Sequence, residues 1–199
     1  ELYPSEVTED PLAPFIQTRS VQRRPMRTTS LNAEQKAALI TAVGNDHSLQ
    51  FFESLKDRLA VARLLWKNAY LRLTCPEAYQ VHREVIEWNV RYSTDRIPDQ
   101  AVGVDPLTAK LMQWVMQSWA RVEFFNRYLA GTIVPRVQLD FIPAIACASH
   151  LLLRPKQSPC GLAEHLAAGI AMQRLWLTAS SLGLCLQPEM TPVIFRWYV

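Results

Sequence analysis

The sequence has few of the features that mark common catalytic and nucleotide-binding sites. Only 6 of its 199 residues are glycine, so glycine-rich loops that could cradle a phosphate through their backbone amides are scarce. The motifs H-E-x-x-H, G-x-S-x-G, Walker A and G-x-G-x-x-G do not occur. The sequence therefore gives no support to a zinc protease, a nucleophile-elbow hydrolase, a P-loop nucleotidase or a Rossmann dinucleotide site.

Paired cysteine ligands are also missing. His82-Arg83-Glu84 and Pro159-Cys160 resemble parts of the zinc deaminase signature, but Ala163 stands where the second cysteine would be. Most of the cysteines lie in apolar surroundings, which suits free thiols in a reducing compartment. We therefore expect a cytoplasmic protein without a metal site. None of the four cysteines forms a C-x-x-C pair: Cys75, Cys147, Cys160 and Cys185.

The charge and hydropathy patterns exclude other partners. A net charge of +3, with no basic run beyond Arg23-Arg24, is too weak to indicate nucleic acid binding. The longest apolar helix carries Glu164 and Arg174, so it does not suit a membrane. The start is acidic and contains proline, which is atypical of a signal peptide, and it lacks an initiator methionine. We expect a cut from a longer chain or a processed product.

The stretch from Gly161 to Met190 is the most informative part of the chain. Its leucines and alanines fall on nearly every face of a helical wheel, which predicts a buried helix of about 20 residues. Pro159 suits the first turn, and Gly183 suits the C-terminal cap. Gly169, in the interior, predicts the close approach of another backbone or a flat ligand.

The remaining patterns predict several helices and a small sheet. Residues 55–73 form an amphipathic pattern in which Arg58, Arg63 and Lys67 lie on the solvated side. The pair Cys147 and His150 could be read as a nucleophile and base, but nothing nearby would lower the pKa of the thiol. We expect an α+β domain over residues 1–199, with an exposed lead-in at 1–10 and helices packed around the sheet. Helices are predicted after the caps Asn32, Thr74 and Asp105, the last running through Val122 to Gly131, and strands at 48–53 and 149–153.

Two segments carry a resemblance to a known family. The pattern A-G-x-A-x-Q-x-x-x-L-x-A-x-x-L-G-L at residues 168–184 resembles the central buried helix of the FMN-dependent nitroreductases. Gln187-Pro188-Glu189 resembles the loop that lies near the flavin ring in that family. The resemblance implies a nitroreductase-like α+β fold, FMN as cofactor, NAD(P)H as electron donor and an intertwined homodimer with flavin sites at its interface.

The resemblance also implies where FMN would bind. Thr18 and Gln22 stand where the family has arginine, so the phosphate motif is shifted or eroded. The family's Asn-Ser-Gln-Pro-Trp segment is present only as a serine and a glutamine. The residues implied are Arg19, Ser20 and Arg23 at the phosphate, Ser48 and Gln50 beside the ring or ribityl chain, and Pro188 and Glu189 near the ring face.

Two functions therefore remain open. The first is an FMN-dependent NAD(P)H oxidoreductase of the nitroreductase type, which reduces nitro, quinone or similar small-molecule acceptors while the protein binds and orients the flavin. The second is a flavin-free nitroreductase-like module that serves as an interaction or dimerisation part of a larger protein. The sequence also resembles nitroreductase-like regions joined to an adenylating domain of the ubiquitin-activating type, which favours the second function.

Overall fold

The computed structural model describes residues 8–196. This part of the chain is helix-rich with small two-stranded sheets, which confirms a helix-rich α+β class, whereas the nitroreductase-like arrangement remains a prediction. The elements are α1 (Phe15–Thr18), α2 (Ala33–Ala42), β1 (His47–Phe52), α3 (Leu55–Thr74), α4 (Pro76–Val85), β2 (Ile86–Glu87), β3 (Ile97–Pro98), a 3₁₀ turn (Asp99–Ala101), α5 (Pro106–Val115), α6 (Trp119–Tyr128), α7 (Ile133–Arg136), a π-helical segment (Val137–Phe141), α8 (Ile142–Ile145), β4 (His150–Pro155), α9 (Leu162–Ser181) and α10 (Thr191–Phe195).

The contacts of the chain divide it into two compact units. The first unit contains residues 8–22, Ser30–Phe51 and Leu151–Gln187, and the second contains Arg23–Thr29, Phe52–His150 and residues 188–196. Each unit is thus assembled from segments that are distant in sequence. Residues 8–10 are exposed, as the predicted lead-in requires, and the rest of that lead-in lies outside the described residues. Across residues 8–196, no helix combines the length and apolarity that a membrane span needs.

The first unit is built on the contact between α2 and α9. A capping box opens α2: the Asn32 side chain accepts from the Gln35 amide at 2.8 Å, and the Gln35 side chain accepts from the Asn32 amide at 3.0 Å. This confirms the predicted cap. The strands predicted at 48–53 and 149–153 are present as β1 and β4, and the two pair in a two-stranded sheet. The core consists of Leu39 from α2, its C-cap residue Val43, and Ala171, Leu175 and Ala179 from α9, with apolar side chains of β1 and β4 packed against them.

The prediction that α9 is buried on every face is wrong for its first half. Leu162, Leu166 and Ile170 are 76%, 59% and 61% exposed. Only the second half supplies core residues, because α2 covers the helix there. A Cβ built on Gly169 would have no described atom of a neighbouring element within 4 Å. No described segment therefore makes the close approach predicted at this glycine.

The ends of α9 agree in part with the sequence analysis. Gly183 has a φ of +70°, and its amide donates to the Ser180 carbonyl at 3.0 Å. The Leu184 amide donates to the Ala179 carbonyl at 2.9 Å, so the predicted glycine cap is confirmed. Pro159, however, lies before the helix rather than in its first turn, because Gly161 is the N-cap residue.

The second unit is organised around α3, which contacts α4, α7, the π-helical segment, α8 and α10. Ala62, Leu65 and Ala144 form its buried cluster, with Phe141 and Ile145 packed against them. A capping box at Ser54 and Asp57 opens α3. Strands β2 and β3 form a second, parallel pair in which Ile86 lies opposite Ile97.

Three predictions in the second unit need correction. Cys75, not Thr74, is the N-cap residue of α4, because the Thr74 hydroxyl instead donates to the Tyr70 carbonyl at 2.8 Å and ends α3. The helix predicted to begin after Asp105 and to run to Gly131 is two helices, since Ser118 caps α6 by accepting from the Arg121 amide. Arg58 is not solvated: its guanidinium donates to the carbonyls of Ile145 and Cys147 at 2.9 and 2.7 Å.

Candidate functional site

The predicted flavin residues fall in both units. Arg19, Ser20, Ser48 and Gln50 belong to the first unit, and Arg23, Pro188 and Glu189 to the second.

In the first unit, Arg19 follows α1 and is held by an aromatic ring. Its guanidinium carbon lies 4.4 Å from the ring centroid of Trp176 on α9. The Arg19 Nε is buried without a hydrogen-bond partner, and no carboxylate in residues 8–196 pairs with this side chain. A cation–π contact of this kind contributes about 0.5–2 kcal/mol. The ring therefore orients Arg19, and no carboxylate among the described residues compensates its charge, which suits an anion.

The neighbouring backbone is fixed by a short parallel bridge within the first unit. Val21 pairs with Leu186, and the Gln22 amide donates to the Leu186 carbonyl at 3.2 Å. The segment that begins with Arg19 and Ser20 thus runs beside the end of the segment that follows α9. Ser20 itself is exposed. Within residues 184–186, only Leu186 takes part in this bridge.

Strand β1 presents Ser48 and Gln50 on its exposed side. His47 is buried, and Leu49 and Phe51 pack against the core, so the alternation of a half-buried strand leaves the two polar residues facing outward. The Ser48 hydroxyl donates to the Arg154 carbonyl at 3.4 Å, a long bond that a ligand could replace. Two polar side chains on one exposed face can therefore hold a polar ligand.

In the second unit, Arg23 lies in a charged neighbourhood. Burial lowers the pKa of Arg23, the nearby Glu189 carboxylate raises it, and the Arg72 guanidinium lowers it further. The Glu189 charge offsets that of Arg23, so this arginine suits a phosphate less well than Arg19 does. Pro188 precedes Glu189 and is half-buried.

A buried ion pair that the sequence analysis missed lies in the same unit. Arg72 on α3 donates to both carboxylate oxygens of Asp140 at 3.1 and 2.8 Å. Burial raises the pKa of Asp140 to about 6, while Arg72 and Arg136 act against that rise. Burial, together with Arg72, lowers the pKa of His82 to about 4, so this histidine is neutral at pH 7. No spacing rule could have paired Arg72 with Asp140, because they are remote in sequence.

The pair Cys147 and His150 has the separation of a hydrogen bond but not the electrostatics of a nucleophile. The Cys147 sulfur lies 3.6 Å from His150 Nε2, which also contacts the Ala144 carbonyl at 2.8 Å. Burial raises the pKa of the Cys147 thiol and lowers the pKa of His150. Both groups are therefore neutral at pH 7, and a thiolate is disfavoured.

Of the predicted flavin residues, those of the first unit suit a phosphorylated ligand better than those of the second unit. Arg19 offers an uncompensated charge, Ser20 an exposed hydroxyl, and Ser48 and Gln50 two exposed polar groups. The sequence did not predict the role of Trp176, because nothing about an aromatic residue in an apolar helix indicates that an arginine will pack against it.

Comparison of the chain with protein family models, with characterised proteins and with solved structures finds no match.

Proposed function

We propose that the chain is an FMN-dependent NAD(P)H oxidoreductase of the nitroreductase type. The observation that supports this proposal is the parallel bridge between Val21 and Leu186, which brings the Arg19-Ser20 segment beside the chain that leads into Gln187-Pro188-Glu189. These are the two segments for which the resemblance implies contacts with the flavin phosphate and the flavin ring.

Within this proposal the protein binds and orients the cofactor. Arg19 and Ser20 hold the phosphate through a charge-assisted and a hydroxyl hydrogen bond. Ser48 and Gln50 hold polar atoms of the ring or ribityl chain. Bound FMN would supply the redox chemistry, accepting a hydride from NAD(P)H and passing electrons to a nitro, quinone or similar acceptor.

Replacing Arg19 with alanine should remove most of the flavin binding. The variant loses the uncompensated charge at the phosphate, and we expect FMN to bind at least about tenfold more weakly. The measurement is the visible absorption spectrum of purified protein after incubation with FMN and desalting. Arg23→Ala should have a smaller effect, since Glu189 already offsets that charge.

Arg27→Ala is the matched control for this experiment, because Arg27 is an exposed arginine that is close to Arg19 in sequence but belongs to the second unit. Arg19→Lys keeps the charge and should recover part of the binding, which separates charge from folding. If the wild-type protein retains no flavin, or if Arg19→Ala and Arg27→Ala retain equal amounts, the proposal fails.

A second function, a flavin-free interaction module, is favoured by a different observation. Leu162, Leu166 and Ile170 recur every four residues on α9 and form one exposed apolar stripe. Large apolar side chains grouped in this way are typical of surfaces that a partner covers. The occupant that we propose is a second copy of this chain, so the stripe supports a dimerisation role. The resemblance implies a homodimer for the flavin enzyme as well, so flavin retention, not dimerisation, separates the two functions.

Replacing Leu166 with glutamate should leave the protein monomeric. We expect the wild-type chain to be dimeric at about 50 µM and the variant to be monomeric, because a charge in the middle of the stripe would be buried without a partner. Light scattering coupled to size-exclusion chromatography gives the mass. Ala167→Glu adds the same charge at an exposed position a quarter turn away and should remain dimeric. A monomeric wild type at this concentration would contradict the dimer.

A further inference from the structure

A cavity of about 400 Å³, open to solvent, lies in the second unit, and none of its described lining residues is a predicted flavin residue. Pockets that hold small organic ligands have volumes of roughly 300–1,000 Å³. Two elements form its walls, α3 and the π-helical segment. Its lining residues are Arg63, Trp66, Lys67, Val137 and Phe141.

The backbone explains why these side chains converge. Arg63, Trp66 and Lys67 are spaced as i, i+3 and i+4, so they share one face of α3. Val137 and Phe141 are the first and last residues of the π-helical segment, and the Ile142 amide donates to the Val137 carbonyl five residues back. Such wide turns are rare and often occur at functional sites.

Pro143 supplies a physical reason for the wide turn. Proline has no amide hydrogen to donate, and its ring crowds the carbonyl four residues earlier. In an α-helix that carbonyl would belong to Leu139, in the middle of the π-helical segment. The segment therefore departs from α-helical geometry at the point where that geometry would bring the Pro143 ring against the Leu139 carbonyl.

The aromatic side chains of the cavity are held in place. The rings of Trp66 and Phe141 meet edge to face, with centroids 6.2 Å apart. The Arg136 guanidinium carbon lies 3.8 Å from the Trp66 ring centroid, and Arg136 Nε donates to the Trp66 carbonyl at 3.0 Å. Held rings of this kind offer a flat ligand a surface that loses little conformational entropy on binding.

The charge at the mouth of the cavity is positive. Arg63 and Lys67 are exposed, and in residues 8–196 no carboxylate forms an ion pair with either of them. Among the residues that the structure describes, none that lines the cavity is acidic. The π-helical segment contains one carboxylate, that of Asp140, and it accepts two hydrogen bonds from Arg72 rather than pairing with Arg63 or Lys67. An anionic group would therefore find two cations without competition.

We propose that this cavity binds a small flat aromatic anion, such as an aromatic carboxylate. Its ring would pack against Trp66 and Phe141, and its charged group would lie between Arg63 and Lys67. This ligand is additional to the flavin of the proposed function, since no lining residue is a predicted flavin residue.

Titration calorimetry of the purified protein with 2-naphthoate tests this site, and 2-naphthalenemethanol serves as the neutral probe of matching shape. We expect the wild-type protein to bind 2-naphthoate with a Kd below about 1 mM, and the neutral probe about tenfold more weakly. The double variant Arg63→Gln, Lys67→Gln should bind 2-naphthoate about tenfold more weakly as well. Its binding of the neutral probe should not change.

The double variant Arg83→Gln, Lys110→Gln is the matched control, because it removes the same two charges from exposed positions of the same unit. The control should bind 2-naphthoate like the wild type. Equal affinities in the two double variants, or no binding to the wild type, would overturn the proposal. Saturating FMN should leave the Kd of 2-naphthoate unchanged, and competition would overturn the assignment to a second ligand. A protein that retains no flavin but binds 2-naphthoate as expected would refute only the flavin proposal.

Discussion

Replacing Arg72 with methionine is expected to lower the free energy of unfolding by about 2–4 kcal/mol at about pH 7.5. The variant removes the cation that donates two hydrogen bonds to Asp140. Asp140 is buried, so its ionised carboxylate would be left in a poorly solvated place with only Arg136 nearby. Urea unfolding followed by fluorescence measures the change.

The same variant should be affected less at about pH 5. Burial raises the folded-state pKa of Asp140 above 3.8, to about 6, so the folded state binds the proton more tightly than the unfolded state does. Stability therefore falls as pH rises between these two values. Without Arg72 the pKa of Asp140 rises further, so protonation near pH 5 relieves most of the cost. His82, whose pKa burial and Arg72 together lower to about 4, acts in the opposite direction in the wild type. Removing Arg72 relieves part of this lowering, which also makes the loss of stability smaller at about pH 5.

Arg83→Met is the control for Arg72→Met, since Arg83 is an exposed arginine of α4. We expect it to change the free energy of unfolding by less than about 0.5 kcal/mol. A loss in Arg72→Met that is the same at both pH values would show that packing of the arginine stem, rather than the buried carboxylate, causes it.

Replacing Leu175 with alanine should cost about 2.5–5 kcal/mol of unfolding free energy, the largest effect that we expect in the first unit. Leu175 is 2% exposed and lies on α9 among Leu39, Val43, Ala171 and Ala179. Truncation there removes buried methyl groups and leaves a cavity between α2 and α9. Urea unfolding at low protein concentration measures the loss.

Leu166→Ala is the matched control, because it makes the same substitution on the same helix at a side chain that is 59% exposed. In the monomer it should cost less than about 0.5 kcal/mol. A cost that appears only at high protein concentration would reveal that a partner covers Leu166. Equal costs for Leu166→Ala and Leu175→Ala at low concentration would contradict the packing of α9 described above.

Features decided by near neighbours in the sequence were predictable. The capping box of α2, the Asp105 cap with Pro106 at the start of α5 and the glycine cap after α9 depend on residues a few positions apart. The break between α5 and α6 was missed because their apolar periodicity continues across it. The sign of the break is the Ser118 side chain, which accepts a hydrogen bond from the Arg121 amide and so begins a new helix.

Features decided by distant residues were not predictable. An apolar helix face indicates burial but not what buries it, so the exposed half of α9 could not be distinguished from the half that α2 covers. Arg58 looked solvated because its acceptors, the carbonyls of Ile145 and Cys147, come from the end of α8 and the loop after it, which are remote in sequence. Long-range partners of this kind decide which charges are compensated.

The candidate site likewise contains features that the sequence predicts and features that it does not. The outward position of Ser48 and Gln50 follows from strand alternation, which the sequence shows directly. The contact of Arg19 with Trp176 and the compensation of Arg23 by Glu189 join residues from opposite ends of the chain. Their roles at a flavin phosphate therefore remain predictions, which the Arg19→Ala experiment tests.

The π-helical segment has a consequence for the spacing of the chain. A π turn contains one residue more than an α turn, so Val137–Phe141 acts as a one-residue insertion in the helical run from Ile133 to Ile145. Each residue of an α-helix turns the chain by about 100°. Losing one residue here would rotate Val137 away from Phe141 and divide the cavity wall. The length of this short segment, as much as its composition, sets the geometry of the aromatic cavity.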